Sequence, residues 1–179
     1  MPTPELLFRT WRARDLDSLV EHANNRKIWL NLEDRFPHPY TLQDAEAWIG
    51  MNHLLIGPPV NFAIVVDGKA VGGVGVELLD DVHERTAKVG YWVAEPLWGR
   101  GIATAAVEFI TGYAFSALPI DRLQAGVFDW NVASARVLEK AGYEQEGRLR
   151  RAVIKEGRVG DLLLYGRLRP GDSPAQGSP

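Results

Sequence analysis

Two glycines frame a short loop that could hold a phosphate group. Gly99 and Gly101 follow a strand-like stretch and precede a helical pattern that begins at Ile102. Backbone N–H groups at the start of a helix form a phosphate site when glycine lets the loop close tightly, and Arg100 adds a positive charge. The spacing matches neither the P-loop nor the dinucleotide-binding glycine pattern. Taken alone, it also suits a plain strand-to-helix turn.

A second pair of polar residues follows the next predicted strand. Asn131 and Ser134 are three residues apart, so they share one face near the start of a predicted helix. Singly, Asn131 would be an N-cap and Ser134 a surface serine. Ligands of α/β sheets bind outside the carboxyl ends of strands, so the pair together indicates a ligand site there.

Hydrophobic spacing and turn residues predict the elements that position these loops. Asp67-Gly68 predicts a hairpin turn, and Thr41 with Asp44 predicts a helix start. Residues 26–40 are predicted to be irregular. The predicted strands cover 5–11, 61–66, 69–79, 87–93, 122–128, 143–154 and 160–168, and the predicted helices cover 15–25, 42–55, 102–115 and 131–141. Hairpins followed by alternating strands and helices indicate a mixed sheet with helices packed on it.

The sequence resembles the GNAT (GCN5-related) N-acetyltransferases, and within them the branch of the RimJ and RimL ribosomal-protein N-terminal acetyltransferases. The family signature Q/R-x-x-G-x-G/A stands here as Trp98–Ala103, with tryptophan in the first position. The likeness continues in Asn131 and Ser134, in 138–143, in 36–48, and in the spacing of Gly157, Asp161 and Tyr165, so that it covers roughly residues 5–168.

The resemblance implies a single-domain α/β (α+β) fold. Its sheet would be mixed and mostly antiparallel, with about seven strands, a splay between the fourth and fifth, and about four flanking helices. Residues 1–168 would form this acetyltransferase domain. The remaining segment, 169–179, is rich in Pro, Gly and Ser and is predicted to be disordered.

The resemblance also implies acetyl-CoA as the acetyl donor and a primary amine as the acceptor. The strand backbone and Asn131 would bind the pantetheine arm, the loop N–H groups would hold the pyrophosphate, and Ser134 would protonate the leaving thiolate. The residues implied to bind the cofactor are Tyr91, Trp92, Val93, Trp98, Gly99, Arg100, Gly101, Ile102, Ala103, Thr104, Asn131 and Ser134. No cysteine is present, so transfer would be direct, without a cysteine acyl-enzyme.

The acceptor and the general base stay open at this stage. Glu33, His38 and Tyr40 are the residues predicted to contact the acceptor. The candidate bases are Glu33, His38, Tyr40, Glu77, His83 and Asp161, and an ordinary surface or turn role explains each of them as well. The acceptor implied by the resemblance is a protein N-terminal α-amine or a small amine. The alternatives are a polyamine or aminoglycoside acceptor, and a non-catalytic domain that binds acyl-CoA.

Composition narrows the function classes further. The chain has 179 residues, no Cys and a net charge of −3, so disulfides and a general attraction to nucleic acid are not expected. The four histidines show no metal-binding spacing, and no metal is predicted. No apolar run reaches the length of a membrane span and no signal peptide is recognised, so we expect a cytoplasmic protein. Dimers are frequent in the family that the chain resembles, which makes a homodimer the assembly to test.

Overall fold

The computed structural model describes residues 5–171, which form one seven-stranded sheet with helices on both faces. The strands are β1 Leu6–Arg9, β2 Asn61–Val66, β3 Lys69–Leu78, β4 Thr86–Val93, β5 Arg122–Phe128, β6 Glu144–Lys155 and β7 Arg158–Leu168. The helices are α1 Leu16–Ala23, α2 Arg26–Trp29, α3 Leu42–Leu54, α4 Ile102–Ala117 and α5 Val132–Lys140. The strand order is β1-β2-β3-β4-β5-β7-β6, and only the β4–β5 pair is parallel.

The sheet is covered on both faces at β2, where all residues from Phe62 to Val66 are buried, whereas the edge strand β6 is largely exposed. Ile64 packs into the larger core with α4 and α5, while Ala63 and Val65 pack beneath α1 and α3. Successive strand residues point to opposite faces, so an apolar run such as that of β2 suits a strand covered on both sides. Ile110 of α4 is fully buried, and burial of such a side chain contributes roughly 1.5–3 kcal/mol.

The two central strands separate after a short paired stretch. The parallel register joins Thr86 to Arg122 and ends at Lys88 with Gln124. Beyond that point β4 runs on to Val93 and β5 runs on to Phe128 with no ladder between them. The predicted splay between the fourth and fifth strands is therefore confirmed.

Local signals predicted most elements, and the structure corrects two. The turn residues Asp67 and Gly68 have φ of 48° and 82°, as the predicted hairpin requires. Thr41 Oγ1 accepts from the Asp44 N–H at 3.3 Å while the Asp44 carboxylate accepts from the Thr41 N–H at 2.8 Å, which completes the predicted cap. The first strand covers only Leu6–Arg9, whereas residues 5–11 were predicted. The irregular interpretation of 26–40 is wrong at its start, because Asn25 Oδ1 accepts from the Lys27 N–H at 2.8 Å and begins α2.

The end of the described chain is held against the fold. Most of the segment predicted to be disordered, residues 172–179, lies outside the described residues. Arg169 itself donates from Nε to the Ile120 carbonyl at 3.0 Å, and its guanidinium also contacts the Phe115 carbonyl near the end of α4. In the part of the chain that is described, no helix is long and apolar enough to cross a lipid bilayer.

Candidate active site

The glycine loop presents a run of unused backbone donors. Gly99 and Gly101 have φ of 75° and 78°, a conformation that costs other residues energy, and Gly101 is the N-cap of α4. Within residues 5–171, none of the N–H groups from Gly99 to Thr104 has a backbone or side-chain acceptor. The first turn of α4 contains no acidic residue. The loop therefore carries a partial positive charge suited to an anion.

The end of β4 turns alternate backbone groups toward the splay. The Ala94 N–H donates to the Val71 carbonyl at 2.8 Å, and Trp92 lies opposite Gly73. Because hydrogen-bonded and non-hydrogen-bonded pairs alternate along an antiparallel ladder, Trp92 directs its backbone to β3, whereas Tyr91 and Val93 direct theirs to the open side. A predicted pantetheine contact thus suits Tyr91 and Val93, and the one predicted for the Trp92 backbone would require its ladder pairing to break.

The two strands and α5 bring a pair of hydroxyl groups together beside the splay. Tyr91 Oη lies 2.7 Å from Ser134 Oγ. Burial raises the pKa of the Tyr91 phenol to about 12, although the hydrogen bond with Ser134 partly opposes this. Asn131 caps α5 by accepting from the Ser134 N–H at 3.2 Å through Oδ1, which leaves its amide N–H groups free to donate. Tyr91 therefore keeps its proton at neutral pH and can share it with Ser134.

A cavity of about 300 Å³ opens where the loops after β4 and β5 meet two distant segments. Trp98 and Trp130 contribute from the two loops, and Trp98 Nε1 donates to the Val93 carbonyl at 2.7 Å. The cavity is lined by Lys27, Leu30, Asn31, Trp98, Trp130, Lys155 and Arg158. Since both loops follow the carboxyl ends of the splayed strands, the cavity lies where an α/β sheet binds its ligands.

Comparison with known proteins decides what this arrangement belongs to. The family model described as the acetyltransferase (GNAT) domain matches residues 5–144. The chain belongs to the GNAT acetyltransferase family. It is 28% identical over 174 residues to the uncharacterized N-acetyltransferase p20 of Bacillus licheniformis, which covers 93% of this chain and 94% of that protein.

Solved GNAT structures show the same fold. The ribosomal L7/L12 α-N-protein acetyltransferase RimL, solved with coenzyme A, aligns with a TM-score of 0.79 at 20% identity, covering 91% of this chain and 93% of that chain. The spermidine N-acetyltransferase of Vibrio cholerae, solved with CoA and spermine, aligns with a TM-score of 0.77 at 22% identity, covering 91% and 95%. Family membership makes the chain an N-acetyltransferase that uses acetyl-CoA. The unpaired loop N–H groups and the open backbone of β4 fit the phosphates and amides of that molecule.

The residues predicted on the acceptor side of this GNAT domain do not converge on the cavity. Glu33 forms an exposed ion pair with Arg35 at 2.9 Å. His38 stacks on Trp29 with ring centroids 5.5 Å apart, and its buried Nδ1 has no partner among the described residues. Tyr40 is buried in the smaller core, and burial raises the pKa of its phenol to about 12. Among residues 5–171, none of these three side chains lines the cavity.

The other candidate bases are also held elsewhere. Hydrogen bonds from Arg35 hold the pKa of Glu77 below its usual range. Asp161 accepts from the Arg151 N–H at 2.7 Å and from Arg148, and these bonds lower the pKa of its carboxyl group. His83 is exposed in the connection before β4, at the opposite end of that strand from the splay.

Sequence reasoning missed the side chain of Tyr91 and most of the cavity. Tyr91 stands in an apolar strand where an aromatic residue suits packing, and only its hydrogen bond to α5 reveals a second role. The lining residues come from four parts of the chain. Two of these parts are joined by a hydrogen bond across 100 positions, in which Trp130 Nε1 donates to the Leu30 carbonyl at 3.3 Å. No local spacing pattern could have grouped them.

Proposed function

We propose that this GNAT enzyme transfers an acetyl group from acetyl-CoA directly to a neutral primary amine, either a protein N-terminal α-amine or a small amine. The observation that carries the proposal is the splay itself, which leaves the Tyr91 backbone and the Val93 N–H open beside a loop of unused donors. With no cysteine in the chain, a cysteine acyl-enzyme is excluded, and direct transfer with both substrates bound together is the expected route. The cytoplasmic location and the homodimer expected from the sequence stay predictions.

The proposed donor site divides between α4 and β4. The N–H groups from Gly99 to Thr104, with Arg100 beside them, would hold the pyrophosphate. The Tyr91 backbone would pair with a pantetheine amide, joined by the free amide N–H groups of Asn131, whereas the Val93 carbonyl already accepts from Trp98 Nε1. Acetyl-CoA supplies an activated thioester when it is bound. The Val93 N–H faces the splay and is the donor that would polarise the acyl carbonyl.

Proton delivery falls to the Tyr91–Ser134 pair. Protonation assists the departure of the sulfur, and Ser134 Oγ is the group that we place beside it. The Tyr91 phenol, 2.7 Å away and protonated at neutral pH because burial raises its pKa to about 12, would return a proton to Ser134. The proton that the amine nitrogen loses as the amide forms would then restore the phenol, so that the net transfer is one proton from the amine to the departing sulfur. Because a thiolate leaves readily even without protonation, the pair should accelerate the reaction without being indispensable to it.

Single-turnover thiol release tests this role. We expect Ser134→Ala to lower the rate about 10- to 100-fold, at or below the lower end of what a general acid contributes, because the thiolate is a good leaving group. Tyr91→Phe should lower it too, and the double variant should be little worse than either single one, since both changes interrupt one proton route. Ser116→Ala is the matched control, because Ser116 Oγ donates to the Tyr113 carbonyl on the exposed side of α4. A full rate in Ser134→Ala would refute the assignment.

A further inference from the structure

We propose that the acceptor carries a carboxylate a few bonds from its primary amine, and that Arg158 binds this carboxylate at the cavity. The inference deepens the proposed function and rests on it. It concerns the charge of the cavity beside the splay, which neither the family likeness nor the glycine loop specifies. An amino acid and an N-terminal peptide with an acidic second residue share the required chemistry.

The cavity wall combines apolar surface with positive charge. Leu30, Trp98 and Trp130 supply the apolar part, and Lys27, Lys155 and Arg158 supply three cations. Within residues 5–171 no aspartate or glutamate lines the cavity. A polyamine or aminoglycoside carries several ammonium groups, and such acceptors require carboxylates nearby rather than cations. The lining therefore selects against the polycationic alternative that the sequence left open.

Two of the three cations already have carboxylate partners. Lys155 is almost fully buried; its Nζ donates to the Leu32 carbonyl at 2.9 Å and to Asp34 at 2.6 Å. Lys27 is paired with Glu95. These pairs fasten the segment around α2 to the rest of the fold, and they leave little positive charge from either lysine for a ligand.

Arg158 differs from the two lysines because no carboxylate within the described chain accepts from it. Its guanidinium carbon lies 4.3 Å from the centroid of the Trp130 ring. That ring is itself anchored by the hydrogen bond from Trp130 Nε1 to the Leu30 carbonyl. A guanidinium that lies over an aromatic ring can still donate its N–H groups, and its planar fork matches a carboxylate. The geometry thus presents an oriented, uncommitted cation at the cavity.

The test compares acceptors that differ in one charge. The acceptors are a C-terminally amidated tripeptide with aspartate in second position, the same peptide with asparagine there, free serine, serinamide, and spermidine. Thiol release from acetyl-CoA gives kcat/KM for each. A hydrogen bond to a charged group contributes roughly 1.5–3 kcal/mol. We therefore expect kcat/KM for the carboxylate form of the favoured pair to exceed that of its amide by about 10- to 100-fold, and spermidine to give the lowest kcat/KM of all. Whether the peptide pair or the serine pair is favoured identifies the source of the carboxylate.

Matched variants then assign the effect to one side chain. Arg158→Gln should reduce the carboxylate preference to less than about threefold and leave the KM for acetyl-CoA unchanged. Arg150→Gln, which removes an exposed arginine from the same hairpin, should keep the preference. The inference is overturned if Arg158→Gln keeps the preference, if the amides or spermidine react as well as the carboxylates, or if Arg158→Gln raises the KM for acetyl-CoA, since the cation would then serve the donor.

The failure of the inference can be told apart from failure of the proposed function. If calorimetry shows acetyl-CoA binding and none of the carboxylate acceptors reacts, the inference is wrong while the donor site stands. If acetyl-CoA does not bind, the proposed function fails and the inference fails with it.

Discussion

Placing a carboxylate in the glycine loop should separate cofactor binding from folding. Gly101 has φ of 78° and is the N-cap of α4, and a Cβ added there meets no atom within 4 Å. Any side chain at Gly101 therefore lowers the free energy of unfolding by about 1–2 kcal/mol, because the backbone there is left-handed, but it causes no steric clash. The charge is the variable, so Gly101→Glu and Gly101→Ala form a matched pair.

The expected magnitudes differ for the two measurements. For a domain of this size, 1 kcal/mol corresponds to roughly 2–4 °C in Tm, so both variants should melt within about 10 °C of the wild-type protein. Glu should be no less stable than Ala, because a negative charge at a helix N-terminus is favourable by about 0.3–1 kcal/mol. Toward a phosphate charge roughly 6 Å away, the carboxylate costs about 0.7–3 kcal/mol at an effective dielectric of 80 to 20. Two such charges weaken coenzyme A binding by tenfold at least.

Calorimetric titration with coenzyme A and a thermal melt of each variant provide the test. We expect Gly101→Glu to bind coenzyme A at least tenfold more weakly than the wild-type protein, and Gly101→Ala to keep most of the affinity. The reasoning is refuted if Gly101→Glu binds coenzyme A within threefold of the wild-type affinity. It is also refuted if Gly101→Ala loses as much affinity as Gly101→Glu, since backbone conformation rather than charge would then govern the loop.

Two further predictions concern stability. Asp15 accepts from Arg9 at 2.6 and 2.8 Å; burial opposes its ionisation, but the bonds outweigh it and lower its pKa. Asp15→Asn should lower the free energy of unfolding by about 3 kcal/mol at pH 7. Because the pKa of Asp15 is lower in the folded state, this difference is present above about pH 4 and shrinks as acid protonates the wild-type carboxyl group. Urea unfolding in which the stabilities of the two proteins do not converge at low pH would contradict the prediction. Gly72→Ala should lower the free energy of unfolding by about 1–3 kcal/mol in the same assay, because its Cβ would lie 2.4 Å from the Trp92 carbonyl oxygen. Gly50→Ala in α3 is the control: its Cβ has no atom within 4 Å, so the change should be neutral or stabilising. Equal effects of the two changes would disprove the close-approach argument.

Local rules were sufficient where an element is set by its own residues. The Asp67-Gly68 turn and the cap at Thr41 were predicted because both depend on contacts within four residues. Helix α2 escaped prediction because one turn is too short to display a helical period, and it depends on the Asn25 cap together with packing by Ile28. The splay was expected through family resemblance, since no spacing rule indicates where two strands stop pairing.

The candidate site likewise has parts that depend on neighbouring residues in the sequence and parts that depend on distant ones. The glycine loop and the Asn131–Ser134 pair lie within short stretches that the sequence displays directly. The Tyr91 hydroxyl becomes functional only when α5 is laid beside β4, and Arg158 only when the hairpin carries it to Trp130. Both depend on contacts between residues tens of positions apart, which hydrophobic periodicity does not encode.

No carboxylate lines the cavity among residues 5–171, and this bears on which amine reacts there. The attacking amine must be neutral, and at pH 7 an α-amine with a pKa near 8 is neutral in about one molecule in ten, against about one in 2,500 for a lysine amine near 10.4. The apolar walls formed by Leu30, Trp98 and Trp130 disfavour an ammonium ion and raise that fraction further. An α-amine therefore needs little help to lose its proton in this cavity, whereas a lysine or polyamine nitrogen would need a strong base that the described lining does not supply. The same lining that offers Arg158 to a carboxylate thus favours the α-amine of an acidic N-terminus.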